Sequence, residues 1–457
     1  MKEDEDSPLE QKDMFEDVRA ALEQNQFVEM RRLLIELNNA DIAQFLEELE
    51  GDARTLRIFR LLPKDRAADV FAYLPADTQM QIIDGVTDME LKSIIDDLFL
   101  DDTIDLIEEM PSNVVTRVLQ NANEETRTLI NRFLQYPEDS AGSIMTIEYV
   151  DLRRGMTVRE AIERVRRTAV DKETIYTCYV VDEQNRLEGV VSVRSLLLHG
   201  DAELISDLYE DNVVYVKTTD DQETVSHTFR KYDLLAMPVV DNEKRLVGII
   251  TVDDIVDVIT EENTEDFEKL AAILPSETPY LKTGVLRLAA NRIVWLIVLM
   301  FLATITQYII LANPTQILVQ IMLLSFIPML MSVSGSAGNQ SSTLIVRGLA
   351  LGEIEPSDVW GVIWRELGVS LIVGTILALI TFARIWLFNA DITMALTVSL
   401  SLVITIAIAK VIGAVLPILA VQLKIDPAIM AAPLISTIID VCSLIAYFAV
   451  ASAVLRA

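Results

Sequence analysis

The stretch PLISTIIDVCSLIAYFAV, residues 433–450, places the carboxylate of Asp440 inside a run otherwise apolar enough to cross a bilayer. An aspartate at the centre of a spanning helix costs roughly 2.5–3.5 kcal/mol on insertion scales, so it marks an ion path or an ion pair. At 3.6 residues per turn Ser436, Asp440, Ser443 and Tyr447 form one polar stripe. Pro433, one turn before Ser436, frees a backbone carbonyl by withholding an amide donor. Hydroxyl, carboxylate and carbonyl oxygens suit a hard divalent cation, and two Asp440 side chains facing each other would lose their repulsion with such an ion between them. The competing reading is a salt bridge from Asp440 to Lys410, the lysine deep in the preceding apolar stretch, unless Lys410 snorkels to the interface. Asp426 lies 14 residues before Asp440, about 21 Å away if the helix is continuous. It is either a vestibule charge or a plain helix cap before Pro427.

The elements that must carry this helix follow from composition. Residues 1–286 hold 62 of the 69 acidic and 30 of the 38 basic residues, a net charge of −32, whereas residues 287–457 are net +1. So acidic a front part repels nucleic acid and anionic lipid and attracts cations. Two cysteines, Cys178 and Cys442, and two histidines, His199 and His227, are too few and too scattered for a disulfide scaffold, a zinc site or Cys-His catalysis. The polar, acidic N-terminus does not resemble a signal peptide, which places the front part in the cytoplasm. Apolar stretches at 293–312, 316–334, 367–388, 393–421 and 427–454 predict five spans of a multi-pass protein of the cell membrane. With the N-terminus inside, Arg287, Arg292, Arg347, Arg365 and Lys424 fall on the cytoplasmic side, against Arg384 and Arg456 outside, and the C-terminus lies outside.

Residues 1–136 read as short amphipathic helices, with Pro63, Pro75 and Pro111 opening three of them, an all-α solenoid. Residues 137–260 contain a repeat, YVVDEQNRLEGVVSVRSLL (179–197) against PVVDNEKRLVGIITVDDIV (238–256), at a constant offset of 59. Each copy reads as strand, turn, strand, helix, preceded by a helix-opening segment. This pair resembles tandem cystathionine-β-synthase (CBS) domains, α/β modules that are usually regulatory and often bind adenine nucleotides. A Thr and an Asp at the strand-to-helix turn hold the ribose in such pairs. Thr251 and Asp254 match that pattern, whereas the first copy has Ser192 and Ser195.

An acidic solenoid, a CBS pair, a connecting segment (261–286) and a membrane domain (287–457) is an order that resembles the MgtE family of magnesium channels. YPEDSAGSIMT (136–146), TEDFEKL (264–270), SGSAGNQSSTLIVRGLALGEI (334–354) and DPAIMAAPLISTIIDVCSLIAYF (426–448) carry the likeness, with Ser336 where the glycine-rich segment more often has Asn. The resemblance implies a homodimer with its pore between two copies of the fifth helix. It implies Mg²⁺ as the ion, with Asp440, Ser436 and Asp426 in the pore and metal sensing in the cytoplasmic part. The candidate sensing carboxylates are Asp221, Glu223, Asp233, Asp254, Asp257, Glu262, Glu265 and Asp266, facing Asp102 and Asp105. ATP enters as a further ligand near Thr251, again through the resemblance. An ion-coupled secondary transporter of divalent cations would also carry an intramembrane carboxylate, but the spans show no inverted repeat. A membrane-anchored nucleotide sensor would need no polar stripe, and no P-loop or hydrolase motif points to an enzyme.

Overall fold

The computed structural model describes residues 8–49, 54–276, 280–281, 283–312, 321–389, 391–427 and 432–456. The chain divides into two units between Ile259 and Thr260.

Among the described residues the first unit begins with ten short helices, α1 (Pro8–Glu23) to α10 (Glu124–Phe133). Pro63, Pro75 and Pro111 occupy the N-caps of α5 (Lys64–Ala72), α6 (Ala76–Gly85) and α9 (Ser112–Asn121) in extended backbone. At that position the missing N–H costs nothing. Arginines tie successive turns of the solenoid by donating to carbonyls that helix ends leave without partners. Arg66 reaches the Leu37 carbonyl at 2.6 Å, and Arg117 reaches that of Val86 at 2.7 Å.

The two CBS copies follow as β1 (Asp151–Arg153), α11 (Val158–Thr168), β2 (Thr177–Val181), β3 (Leu187–Ser192) and α12 (Val193–Leu198), then β4 (Val216–Lys217), α13 (Gln222–Tyr232), β5 (Ala236–Val240), β6 (Leu246–Thr251) and α14 (Val252–Leu270). In each three-stranded sheet the first strand is parallel to the second and the second antiparallel to the third. Thr177 pairs with Ser192 and Ala236 with Thr251, and a bulge recurs at Val180/Val181 and at Val239/Val240. The offset of 59 is therefore a backbone register as well as a sequence match. The copies are joined turn to turn, Leu187 N–H donating to the Lys244 carbonyl and Leu246 N–H to that of Asn185. One continuous core runs from the solenoid (Ile104, Ile107, Val114) into the second copy (Val225, Met237, Val239, Ile255), so the two modules exclude water as one body.

Helix α14 crosses the division between the units. The expected boundary at 260/261 thus falls inside a continuous helix that carries the connecting segment as far as Leu270.

In the second unit come α15 (Val285–Leu311), a single turn α16 (Ile321–Leu324), α17 (Ile327–Ala350), α18 (Val359–Asn389), α19 (Ile392–Gln422) and α20 (Ala432–Arg456). Among the described residues four of these, α15, α18, α19 and α20, are long and apolar enough to cross a membrane. The second expected span, 316–334, is not one helix: its first residues lie outside the described residues, and the chain breaks at Ser325 and Phe326 before Pro328 enters α17. The glycine-rich segment, expected to follow that span, is helical inside α17. Its glycines bring backbones together, as small residues do between membrane helices. A Cβ on Gly413 of α19 would stand 2.2 Å from the Gly338 carbonyl oxygen of α17, and one on Gly338 would stand 2.0 Å from Ile439 Cδ1 of α20. Gly413→Ala therefore pushes backbone against backbone, and the expected cost is about 1–3 kcal/mol. Thermal unfolding of the purified protein should show it as a lowered midpoint, with Ala414→Gly, beside the contact, as the reference for Gly/Ala propensity.

Candidate ion pathway and sensing site

The polar stripe on α20 does not act as one surface. Ser436 exchanges hydrogen bonds with the Asn339 side chain of α17 at 3.1 and 3.2 Å. Tyr447 is buried and donates to the Leu323 carbonyl at 2.8 Å, while Ser443 is buried with no partner among the described residues. These groups face the interior of their own unit and fix the rotation of α20. Asp440 is only half-buried, and no described residue forms an ion pair with it. The carbonyl that Pro433 would free belongs to residue 429, outside the described residues, while the Pro433 carbonyl accepts from the Thr437 hydroxyl at 2.8 Å.

Lys410 resolves the first ambiguity of the sequence. Its ammonium lies 3.5 Å from Glu366 Oε2 on α18 and donates to Ser341 Oγ of α17 at 3.2 Å, and Ser341 in turn donates to Glu366 at 2.6 Å. The side chains of Lys410 and Glu366 are 6% and 14% exposed, so the ammonium neither snorkels nor reaches for Asp440. Glu366, Ser341 and Asn339 were missed by sequence reasoning. Glu366 stands one residue before the start assigned to the third span, where a search for an anionic match to Lys410 would have found it.

Asp426 is not itself helical and lies outside α20 as described, so the figure of about 21 Å for one continuous helix does not apply. It accepts from Lys269 Nζ, near the end of α14, at 2.8 Å, and the same ammonium is 2.9 Å from Glu265. Burial works against the Lys269 charge, but the hydrogen bonds to Asp426 and Glu265 outweigh it and raise the lysine pKa. Lys269 thus clamps the end of the connecting helix to the segment leading into α20. Glu262 and Asp266 lie on the same stretch of α14.

In the first unit four of the expected carboxylates, Asp102, Asp105, Asp254 and Asp257, come together around α8 (Leu100–Glu109) with others that were not expected. Asp102 is pushed up to about 6 by burial and then by Asp254 and Asp69. Asp105 is pushed up to about 7 by the protein around its carboxyl and then by Asp102 and Asp254, although its side chain reaches water. Asp254 rises to about 6 through burial, against the hydrogen bond from Thr251, with Asp253 and Asp257 adding repulsion. Asp101, buried on the same helix, is held well above its ordinary value by burial and by Asp254 and Asp102. Glu173 rises to about 7 by burial and then by Asp253, Asp254 and Asp102. Asp101 and Asp253, on helices, and Glu173, in the loop before β2, had not been singled out, since burial of a carboxylate has no signature in local sequence.

The other candidates have local tasks. Asp221 caps α13 by accepting from the Glu223 N–H at 3.0 Å, Glu223 lies 3.7 Å from His227 one turn on, and Asp233 closes the helix in left-handed backbone with φ of 50°. That conformation is one Asp tolerates. Thr251 Oγ1 donates to Asp254 Oδ2 at 2.6 Å, so the pair that matches the ribose pattern is engaged with itself inside the acidic cluster. A cleft of about 280 Å³ lies instead on the first copy, lined by Tyr149, Asp151, Arg153, Lys172 and Asn185 among others. Among the described residues no three carboxylate, imidazole or thiolate groups converge as a finished metal shell. Crowded carboxylates that resist ionisation do suit a hydrated divalent cation, which binds through its water and relieves their repulsion.

Comparison with known proteins accounts for each part. Residues 37–139 match the MgtE intracellular N domain, 141–200 and 205–261 match CBS domains, and 327–450 match the MgtE divalent cation transporter family. The magnesium transporter MgtE of Thermus thermophilus is 35% identical over 443 residues, 96% of this chain and 98% of the relative. That of Bacillus subtilis is 32% identical over 427 residues, 93% and 94% of the two chains. The solved soluble part of a magnesium transporter superposes with a TM-score of 0.52 at 32% identity, covering 55% of this chain and 99% of that one. The cytosolic domain of the Mg²⁺ channel MgtE in complex with ATP superposes with a TM-score of 0.51 at 37% identity, covering 53% and 99%. The chain belongs to the MgtE family of magnesium transporters.

Proposed function

We propose that this protein is a Mg²⁺ channel mediating magnesium uptake across the cell membrane as a homodimer of five-span subunits, with N-terminus inside and C-terminus outside. The observation that carries the reading is the half-buried Asp440, with no ion-pair partner among the described residues, on a helix where Ser436 and Tyr447 are hydrogen-bonded within the subunit. A carboxylate left in a membrane helix without a cation of its own chain is suited to one that passes. Two such groups, one from each subunit, hold Mg²⁺ through its water, and weak outer-shell binding permits release.

The gate in this reading is electrostatic. Cytosolic Mg²⁺ neutralises the carboxylates around Asp101, Asp102, Asp105 and Asp254 and compacts the acidic part. The connecting helix, clamped by Lys269 to Asp426, transmits that state to the start of α20. When Mg²⁺ falls, repulsion loosens the acidic part and frees the helix. The acidic surroundings of Thr251 and Asp254 oppose a polyanion, so this mechanism runs without ATP, and no residue is given a catalytic role.

Mg²⁺ uptake into vesicles holding the purified protein tests the reading. Uptake driven by the Mg²⁺ gradient alone, and unchanged when a proton or sodium gradient is imposed or collapsed, is the expected result. Uptake that stops without such a gradient would establish the ion-coupled transporter instead. A chain that moves no ion yet binds nucleotide would be a sensor.

A further inference from the structure

The Lys410 ammonium raises a difficulty for any cation path beside it. The connections 351–358 and 423–431 put the end of α17, the start of α18, the end of α19 and the start of α20 at one face of the membrane unit. Counted from those ends at 1.5 Å per residue, Ser341, Glu366, Lys410 and Asp440 all lie within about 10–18 Å of that face. The layers touch at Gly338, which is packed against both the Ala409 carbonyl and Ile439 Cδ1, the residues next to Lys410 and to Asp440. One residue on, Asn339 holds Ser436, and one turn on, Ser341 joins Lys410 and Glu366. The face of α17 that seats the pore helix therefore adjoins the one that seats a buried positive charge, in surroundings where fields are poorly screened.

We infer that Glu366 is a charge-compensating residue of the ion path: it cancels the Lys410 ammonium, held on the far side of the α17 contact that seats α20, and so keeps the path attractive to a divalent cation it never touches. The inference rests on Asp440 lining that path. Ser341 supports it, accepting from Lys410 while donating to Glu366, which holds the two charges in one geometry. The energy of a bystander charge scales with the charge of the ion, so Mg²⁺ feels twice what a monovalent ion feels.

The test is the Mg²⁺ concentration that half-saturates uptake in vesicles, measured on protein that elutes as folded. Glu366→Gln should raise it on the order of tenfold, because an uncompensated positive charge repels a divalent ion. Glu366→Asp should stay near the unmodified protein, and Glu366→Gln with Lys410→Met should return to it. A merely structural role would lower maximal uptake through loss of folded protein and leave half-saturation in place. An unmoved half-saturation in Glu366→Gln, or a double variant that keeps the single variant's shift, overturns the inference. Removing one partner of a buried pair can prevent folding. In that event Lys410→Met alone decides: half-saturation at or below that of the unmodified protein is expected, and a rise overturns the inference. Asp440→Asn in the same assay separates the two levels. If it takes up Mg²⁺ normally, the pore reading and this inference fall together; if it does not, an unmoved Glu366→Gln removes this inference alone.

Discussion

Asp440→Asn is expected to leave the protein folded and to lower Mg²⁺ uptake at least about tenfold, since each 1.4 kcal/mol of lost ion stabilisation is a factor of ten. The amide keeps the shape of the carboxylate and removes its charge, and no described residue depends on that charge for an ion pair. Folding should therefore hold or improve, because a charge is taken out of a half-buried position within the membrane. Asp440→Glu keeps the charge and displaces it by one methylene, so an intermediate flux follows. Uptake in vesicles and the thermal unfolding midpoint check the two halves of the expectation. If Asp440→Asn takes up Mg²⁺ normally while unfolding early, Asp440 is a structural residue and the path lies elsewhere. Lys410→Met sharpens the comparison. A salt bridge to Asp440 would make the two variants fail alike, whereas the Glu366 pair predicts that they fail differently.

Which of these residues were visible in the sequence depended on whether their role was periodic or spatial. The register of the CBS copies was legible, because alternation along a strand and a fixed offset survive in one dimension: 177 and 236, 192 and 251 occupy matching ladder positions. The prolines of the solenoid were legible because proline at a helix start has a local cause. Asp440 stood out against an apolar background. The partner of Lys410 did not, because three helices separated by tens of residues assemble Lys410, Ser341 and Glu366. The stripe on α20 was right as periodicity and incomplete as function. Helical spacing says that Ser436, Asp440, Ser443 and Tyr447 share a face, but only packing decides that Ser436 and Tyr447 bond to α17 and to Leu323. Asp221 and Asp233, expected among the sensing carboxylates through the resemblance, also have a local task that spacing did not announce: they start and stop α13.

Hydrogen exchange of the acidic cluster should fall in protection as pH rises, opposite to the usual behaviour of paired carboxylates. Asp102 and Asp254 are pushed up to about 6 and Glu173 to about 7 by burial and mutual repulsion. Between pH 4 and those values the folded chain holds protons that the unfolded chain has released. The slope of stability against pH follows the protons bound unfolded minus those bound folded, so here it is negative. The cluster's contribution to stability is fullest below about pH 4, declines from there through pH 6–7 and levels off above. In metal-free buffer, protection of α8 and the first turns of α14, corrected for intrinsic rates, should drop about tenfold or more from pH 5.5 to 8, one unit of net shift being a factor of ten. Millimolar Mg²⁺ should restore it at pH 8 and change little at pH 5.5, where protons already hold the carboxylates. Monovalent salt at equal ionic strength should restore far less, because screening bridges no specific pair. Replacing Asp101, Asp102 and Asp254 together with Asn should abolish the Mg²⁺ response in these segments and flatten the pH slope to what Asp105 and Glu173 still contribute. If the triple variant keeps its Mg²⁺ response, the sensing carboxylates are not those around α8, and Glu265 and Asp426 at the Lys269 clamp become the site to test.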